Sequence, residues 1–134
     1  MAAGSPLLDQ DRLPWLGRLS RRACETLNEL GYERVIVSCS ALKQLYRDQL
    51  RELNSKDVDV VFVALQCSKE VMVQRLLERK GHYMSVEMVE GQVEVYETAG
   101  DEETDVLPVD ADGEKADVVA ECEWLLDTWR ELNA

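Results

Sequence analysis

The feature that most constrains this chain is a hydrophobic period that changes repeatedly along it. Short runs that are apolar at consecutive positions alternate with longer stretches in which apolar residues recur every three or four. A run apolar on both faces needs cover from both sides, and helices provide it in a parallel sheet. The runs are 34–38, with Val35, Ile36 and Val37; 58–65, apolar apart from Asp59; and 105–109. Pro108 fits the third only at a sheet edge or bulge. Between them the spacing predicts helices. Over 9–30, Leu16, Leu19, Ala23, Leu27 and Leu30 share a face opposite Arg18, Arg21, Arg22 and Glu25, and Gly31 supplies a stop. Over 41–53 the apolar set is Leu42, Leu45, Tyr46, Leu50 and Leu53. Ser68 caps a helix over 69–79 with Met72, Val73, Leu76 and Leu77 inward, broken by Gly81. Over 114–132 the stripe is Val118, Val119, Cys122, Leu125, Leu126, Trp129 and Leu132. The stretch 85–97 reads either way, because Val93 and Val95 alternate with Glu94 and Tyr96 as in a strand. The expected fold is α/β: a three-layer, parallel sheet flanked by helices, in a single domain over 1–134. Ligands bind such sheets at the strand C-terminal ends, here the loops 38–43 and 66–69.

Charge narrows the partners. The net charge of −12 argues against nucleic acid and anionic membranes. Its distribution is uneven: residues 1–82 carry thirteen Lys/Arg and eleven Asp/Glu, residues 83–134 two and sixteen. That leaves two readings, a solvated acidic surface on the last helices or basic side chains in the first part converging on an anion. No apolar run approaches the roughly 20 residues of a membrane span, and residues 1–11 do not read as a secretory signal. Cys24, Cys39, Cys67 and Cys122 are scattered without metal-ligand spacing, as reduced thiols of a cytoplasmic protein would be. His82, the one histidine, cannot hold zinc alone.

Three clusters carry chemistry. Asp9, Asp11, Arg12, Pro14 and Trp15 open the first helix, where spacing alone favours carboxylates as caps over carboxylates as part of a ligand site. Cys39-Ser40-Ala41-Leu42-Lys43, with Tyr46, Arg47 and Asp48 behind it, follows a strand and starts a helix. That setting suits an oxyanion or a polyol, and equally a solvated helix start. Arg75 and Arg79, four apart, are expected on one helix face ahead of Gly81, either as a lid over phosphates or as a solvated basic helix end.

In this order and spacing the clusters resemble the gluconokinases. Residues 6–16, PLLDQDRLPWL, are similar to that family's P-L-N-D-x-D-R-x-P-W-L, with Leu8 in place of Asn. Residues 39–48, CSALKQLYRD, match its C-S-A-L-K-x-x-Y-R-D, and Arg75-Leu76, Arg79 and Gly81-His82 resemble its R-L-x-x-R-x-G-H. Gln92 and Glu94 resemble only weakly the segment that follows. The resemblance implies a P-loop, nucleoside-kinase-like fold and ATP-dependent phosphorylation of D-gluconate. It further implies Mg²⁺ beside the ATP, a lid over about 75–97, and a possible homodimer. By the same resemblance Arg12, Ser40, Lys43 and His82 serve the gluconate side. Arg75 and Arg79 contact the nucleotide, and Lys43 and Arg79 are the catalytic candidates. No G-x-x-x-x-G-K-[ST] loop occurs in the sequence, so the resemblance implies a chain truncated ahead of Met1. The alternative is a catalytically inactive remnant or isoform that acts only by binding a partner.

Overall fold

The structure, a computed structural model, describes residues 8–79, 81 and 85–134. Its element order is α1 (Asp9–Glu29), α2 (Gln44–Arg51), β1 (Phe62–Gln66), α3 (Lys69–Glu78), α4 (Val86–Val95), β2 (Val106–Asp110) and α5 (Lys115–Leu132). The chain is α/β, as its alternating period predicts. It divides into two compact units, Met1–Val60 with Glu90–Thr98, and Val61–Val89 with Ala99–Ala134.

The first unit is built on α1 and α2. Leu16, Ala23, Tyr46 and Leu50 are its buried apolar residues, and Tyr46 and Leu16 are each only 1% exposed. Gly31 follows the C-cap Leu30 at φ +71°, the left-handed backbone that ends a helix without a Cβ clash. Leu30, expected on the inner face, is exposed at this frayed end. Pro14 lies in the second turn of α1, so the Gln10 carbonyl cannot receive the helical bond from it.

The expected strand over 34–38 does not form. Those residues have no ladder partner among the described residues, and Ile36 is 96% exposed. β-branched residues favour extended backbone, but a strand is completed by a neighbour's N–H and C=O groups, and both described strands lie in the other unit. The expected helix over 41–53 is shorter, and 41–43 are an extended approach to it.

In the second unit β1 and β2 pair in parallel, Phe62 with Val106 through Gln66 with Asp110. Phe62 N–H donates to Asp105 and Ala111 N–H to the Gln66 carbonyl. In a parallel ladder those bonds turn the odd-numbered residues of β2 toward β1. Pro108, which has no N–H, therefore falls on the other edge, which has no strand among the described residues. Val109 is fully buried and α5 packs on β2. The α5 stripe is half-buried at Val118, Cys122, Leu125, Leu126 and Trp129, while Leu132 lies exposed at the helix end. Leu77, predicted inward on α3, is also exposed. The ambiguous stretch 85–97 resolves as α4, so its two alternating valines do not make a strand.

Candidate functional site

The first two sequence clusters meet within the first unit. Asp9, the first residue of α1, does not cap that helix: Asp11 reaches back to the Leu8 N–H at 3.1 Å and does so instead. Asp9 is thereby left to point at α2. Its Oδ1 accepts from Lys43 Nζ at 2.9 Å and from the Tyr46 hydroxyl at 2.5 Å, and its Oδ2 takes a second contact from Lys43 at 3.2 Å. Arg12, one turn along α1, places its guanidinium carbon 5.6 Å from the Tyr46 ring centroid, and Lys43 Nζ lies 5.7 Å from the same ring. Both distances are within cation–π range. The ring is the floor of the site, with cations over it and a carboxylate at its hydroxyl.

The electrostatics follow from these contacts. The Tyr46 hydroxyl and then Lys43 hold the Asp9 carboxyl below its ordinary value. Burial, with the Asp9 carboxylate at its hydroxyl, pushes Tyr46 up to about 12 from an ordinary 10.0. Tyr46 is therefore a neutral hydrogen-bond donor throughout the physiological range, and Asp9 an anion. A raised pKa stabilises the fold below the unfolded value and loses that contribution as pH rises through the folded one. Tyr46 thus contributes fully below pH 10 and loses its contribution by about pH 12. The lowered Asp9 contributes above pH 3.8, and its contribution is lost as pH falls below that. Spectrophotometric titration should show a phenolate component near pH 12 that Tyr46→Phe removes; an unchanged titration would contradict this placement.

Of the other candidates in this unit, Ser40 is exposed in the segment that leads into α2. Cys39 beside it is half-buried, and burial pushes its thiol up, which suits no nucleophile. Two residues were not legible as parts of the site. Arg47 is 3% exposed although it reads as a solvated helix residue. Glu97 accepts from the first N–H of α2 from 53 positions away. The Glu97 contact depends on tertiary placement, which local spacing does not show.

The third cluster belongs to the second unit and does not form as expected. Arg79 is the C-cap of α3, extended at φ −81° and ψ 116°, so it leaves the helix and does not share a face with Arg75. The Arg79 N–H bonds back to Leu76, and Gly81 follows at φ +74°, which ends the helix sooner than its apolar period implies. The expected mutual repulsion of two arginines on one face is therefore absent. Arg75 instead donates to the carbonyls of Gly113 at 3.0 Å and Asp112 at 3.4 Å, in the loop after β2. Asp112 also accepts from the Ser68 N–H at 2.7 Å, joining the loops that leave the two strands. These loops line an open cavity of about 370 Å³, with Gln66, Cys67, Ser68, Pro108, Asp110 and Asp112 on its walls. His82 lies outside the described residues. Among the described residues no group of three or more His, Cys, Asp and Glu is arranged to hold a metal ion. Nor, among them, is any helix long and apolar enough to cross a membrane.

No family model matches the chain. Individual proteins do. The thermoresistant gluconokinase of Escherichia coli is 41% identical over 122 residues, covering 90% of this chain and 66% of that protein. A probable gluconokinase of Xenopus tropicalis is 34% identical over 139 residues, covering 95% of this chain and 72% of that protein. The crystal structure of a gluconokinase from Sinorhizobium meliloti superposes with a TM-score of 0.70 at 37% identity, covering 88% of this chain and 62% of that one. The chain thus spans about two thirds of the length of the curated relatives it matches. Identity at this level along nearly the whole chain, with the Asp9 and Lys43 motifs meeting in space, has one conclusion: the chain belongs to the gluconokinase family.

Proposed function

We propose that the protein is a gluconokinase, a phosphotransferase that moves the terminal phosphate of ATP to the terminal hydroxyl of D-gluconate, giving 6-phospho-D-gluconate for the pentose phosphate route. The observation that carries the reading is the charge of the site. Asp9 supplies a carboxylate, Lys43 and Arg12 two cations and Tyr46 a neutral hydroxyl, so the cluster sets cationic groups beside hydrogen-bonding ones. That balance suits a sugar acid with a single carboxylate and several hydroxyls.

In this reading Arg12 and Lys43 meet the carboxylate end of gluconate and Ser40 a hydroxyl, with His82 on the same side. Asp9 holds the Lys43 ammonium against the Tyr46 ring, so less side-chain freedom is lost when substrate arrives. Lys43 is also the catalytic candidate on the gluconate side. The stretch 75–97 acts as a lid, with Arg75 and Arg79 on the nucleotide and Arg79 on the phosphate in transfer. Mg²⁺ would offset phosphate charge, but no residue described here is assigned to it. The protein works in the cytoplasm as a homodimer.

The test uses the chain joined to an N-terminal segment that supplies a strand and a G-x-x-x-x-G-K-[ST] loop. Lys43→Ala and Ser40→Ala should each raise the KM for gluconate, by roughly 10- to 100-fold for the lysine, the range for a lost charged hydrogen bond. The KM for ATP should barely move. Unchanged gluconate KM and kcat in both variants would remove this loop from the substrate site.

A further inference from the structure

The buried Arg47 and the distant Glu97 converge on one stretch of backbone, the approach to α2 that carries Ser40 and Lys43. The N-cap of α2 is Lys43 itself, and no side chain of its own neighbourhood caps the helix. Glu97 supplies the missing acceptor: its Oε2 takes the Gln44 N–H at 3.2 Å. The Glu97 backbone adds a second tie, its N–H donating to the Leu42 carbonyl at 2.7 Å. From the other direction Arg47 Nη1 donates to the Ala41 carbonyl at 3.1 Å and to the same Leu42 carbonyl at 3.4 Å. The Lys43 carbonyl is taken by the N–H groups of Tyr46 at 3.0 Å and Arg47 at 3.1 Å. Consecutive carbonyls from Ala41 to Lys43, and the N–H after them, are therefore all engaged.

We propose that Arg47 and Glu97 are positioning residues, a two-sided clamp on residues 41–44 that fixes where Lys43 and Ser40 stand. The inference rests on the gluconate reading of that loop and deepens it. A lysine reaches its target through four rotatable bonds, so its ammonium is placed only as well as its backbone. Asp9 steadies the far end of that side chain and the clamp steadies the near end. Arg47 has an additional reason to be buried: a guanidinium donates in a fixed plane to adjacent carbonyls, which an ammonium cannot reproduce. Glu97 acts at longer range. It ends the segment after α4, so any movement of 90–98 is transmitted to the loop through two hydrogen bonds.

Two measurements on the whole 134-residue chain test this: amide exchange by NMR, and D-gluconate binding by calorimetry. In Glu97→Ala the Gln44 amide should exchange about tenfold faster, while amides in β1 and β2 exchange as before. Gluconate affinity should fall by roughly three- to tenfold. Glu97→Gln should restore both, because the carboxamide oxygen can still accept. Arg47→Lys should weaken gluconate binding although the charge is kept. Wild-type exchange at Gln44 with wild-type affinity in Glu97→Ala would overturn the proposal, as would a Glu97→Gln variant no better than alanine. If the unaltered chain binds no gluconate, exchange alone judges the clamp, and the gluconate reading is judged separately on the chain joined to a phosphate loop: faster Gln44 exchange in Glu97→Ala supports the clamp, and an unchanged rate overturns it.

Discussion

Arg79→Ala is expected to lower kcat by about a thousandfold in an active protein that contains this chain, with a much smaller change in the KM for gluconate. The size comes from arginines that meet charge developing on a transferring phosphoryl group. The structure changes the grounds for choosing Arg79 over its neighbour. Arg75 is engaged with the carbonyls of Asp112 and Gly113, so its removal loosens the loop after β2. Arg79 stands past the helix end, exposed, on extended backbone two residues ahead of a left-handed glycine. A side chain there can be carried to a phosphate by a change in two or three backbone angles, without unwinding α3. Arg79→Lys should recover only part of the rate, because an ammonium lacks the planar fork. Steady-state kinetics of the two variants decide the matter, and a near-normal kcat for the alanine variant would reduce Arg79 to a solvated helix end.

What could be read from the residues depended on how local the cause was. Helices α1 and α3 were legible from an apolar stripe with a local signal at an end, Gly31 for α1 and Ser68 and Gly81 for α3, and α5 from its stripe alone. The two strands were legible as doubly apolar runs over 58–65 and 105–109, but their parallel pairing, 62–66 with 106–110, was not; Pro108 lies on the unpaired edge of the described ladder. The run 34–38 was misleading for a non-local reason. Val35, Ile36 and Val37 favour extended backbone, but a ladder needs a partner that the described residues do not supply. Arg79 was misread because helical spacing says nothing about where the last turn gives way; the glycine two residues later decided it.

The site divides in the same way. The motif around Lys43 was readable as suited to an oxyanion or a polyol, and that around Asp9 as caps or a ligand site, with the sugar acid implied only by the family resemblance; the division of labour between them was not readable. Asp11 takes the capping role that either carboxylate was able to fill, and so releases Asp9 to Lys43 and Tyr46. That choice turns on a difference of two positions at the helix start. Glu97 was invisible because its partner is 53 positions away and nothing in its own neighbourhood marks it. Long-range caps leave no trace in local spacing.

The central claim, phosphorylation of gluconate, is tested most directly by measuring gluconate-dependent ADP formation. Phosphoryl transfer depends on positioning and charge stabilisation more than on any covalent step, so the backbone N–H groups and the lysine of a phosphate loop are indispensable. The 134 residues contain no G-x-x-x-x-G-K-[ST] sequence. Joined to a segment that supplies the loop and its strand, the chain should form ADP when D-gluconate is added. It should form almost none with D-glucose, which has no carboxylate for Lys43 and Arg12. The 134-residue polypeptide alone should give a rate lower by several orders of magnitude, because removing the whole phosphate-binding apparatus forfeits most of the rate enhancement, typically 10⁶-fold or more. Clear turnover by the 134-residue polypeptide, or an extended protein that binds ATP and phosphorylates glucose as readily as gluconate, would contradict the account.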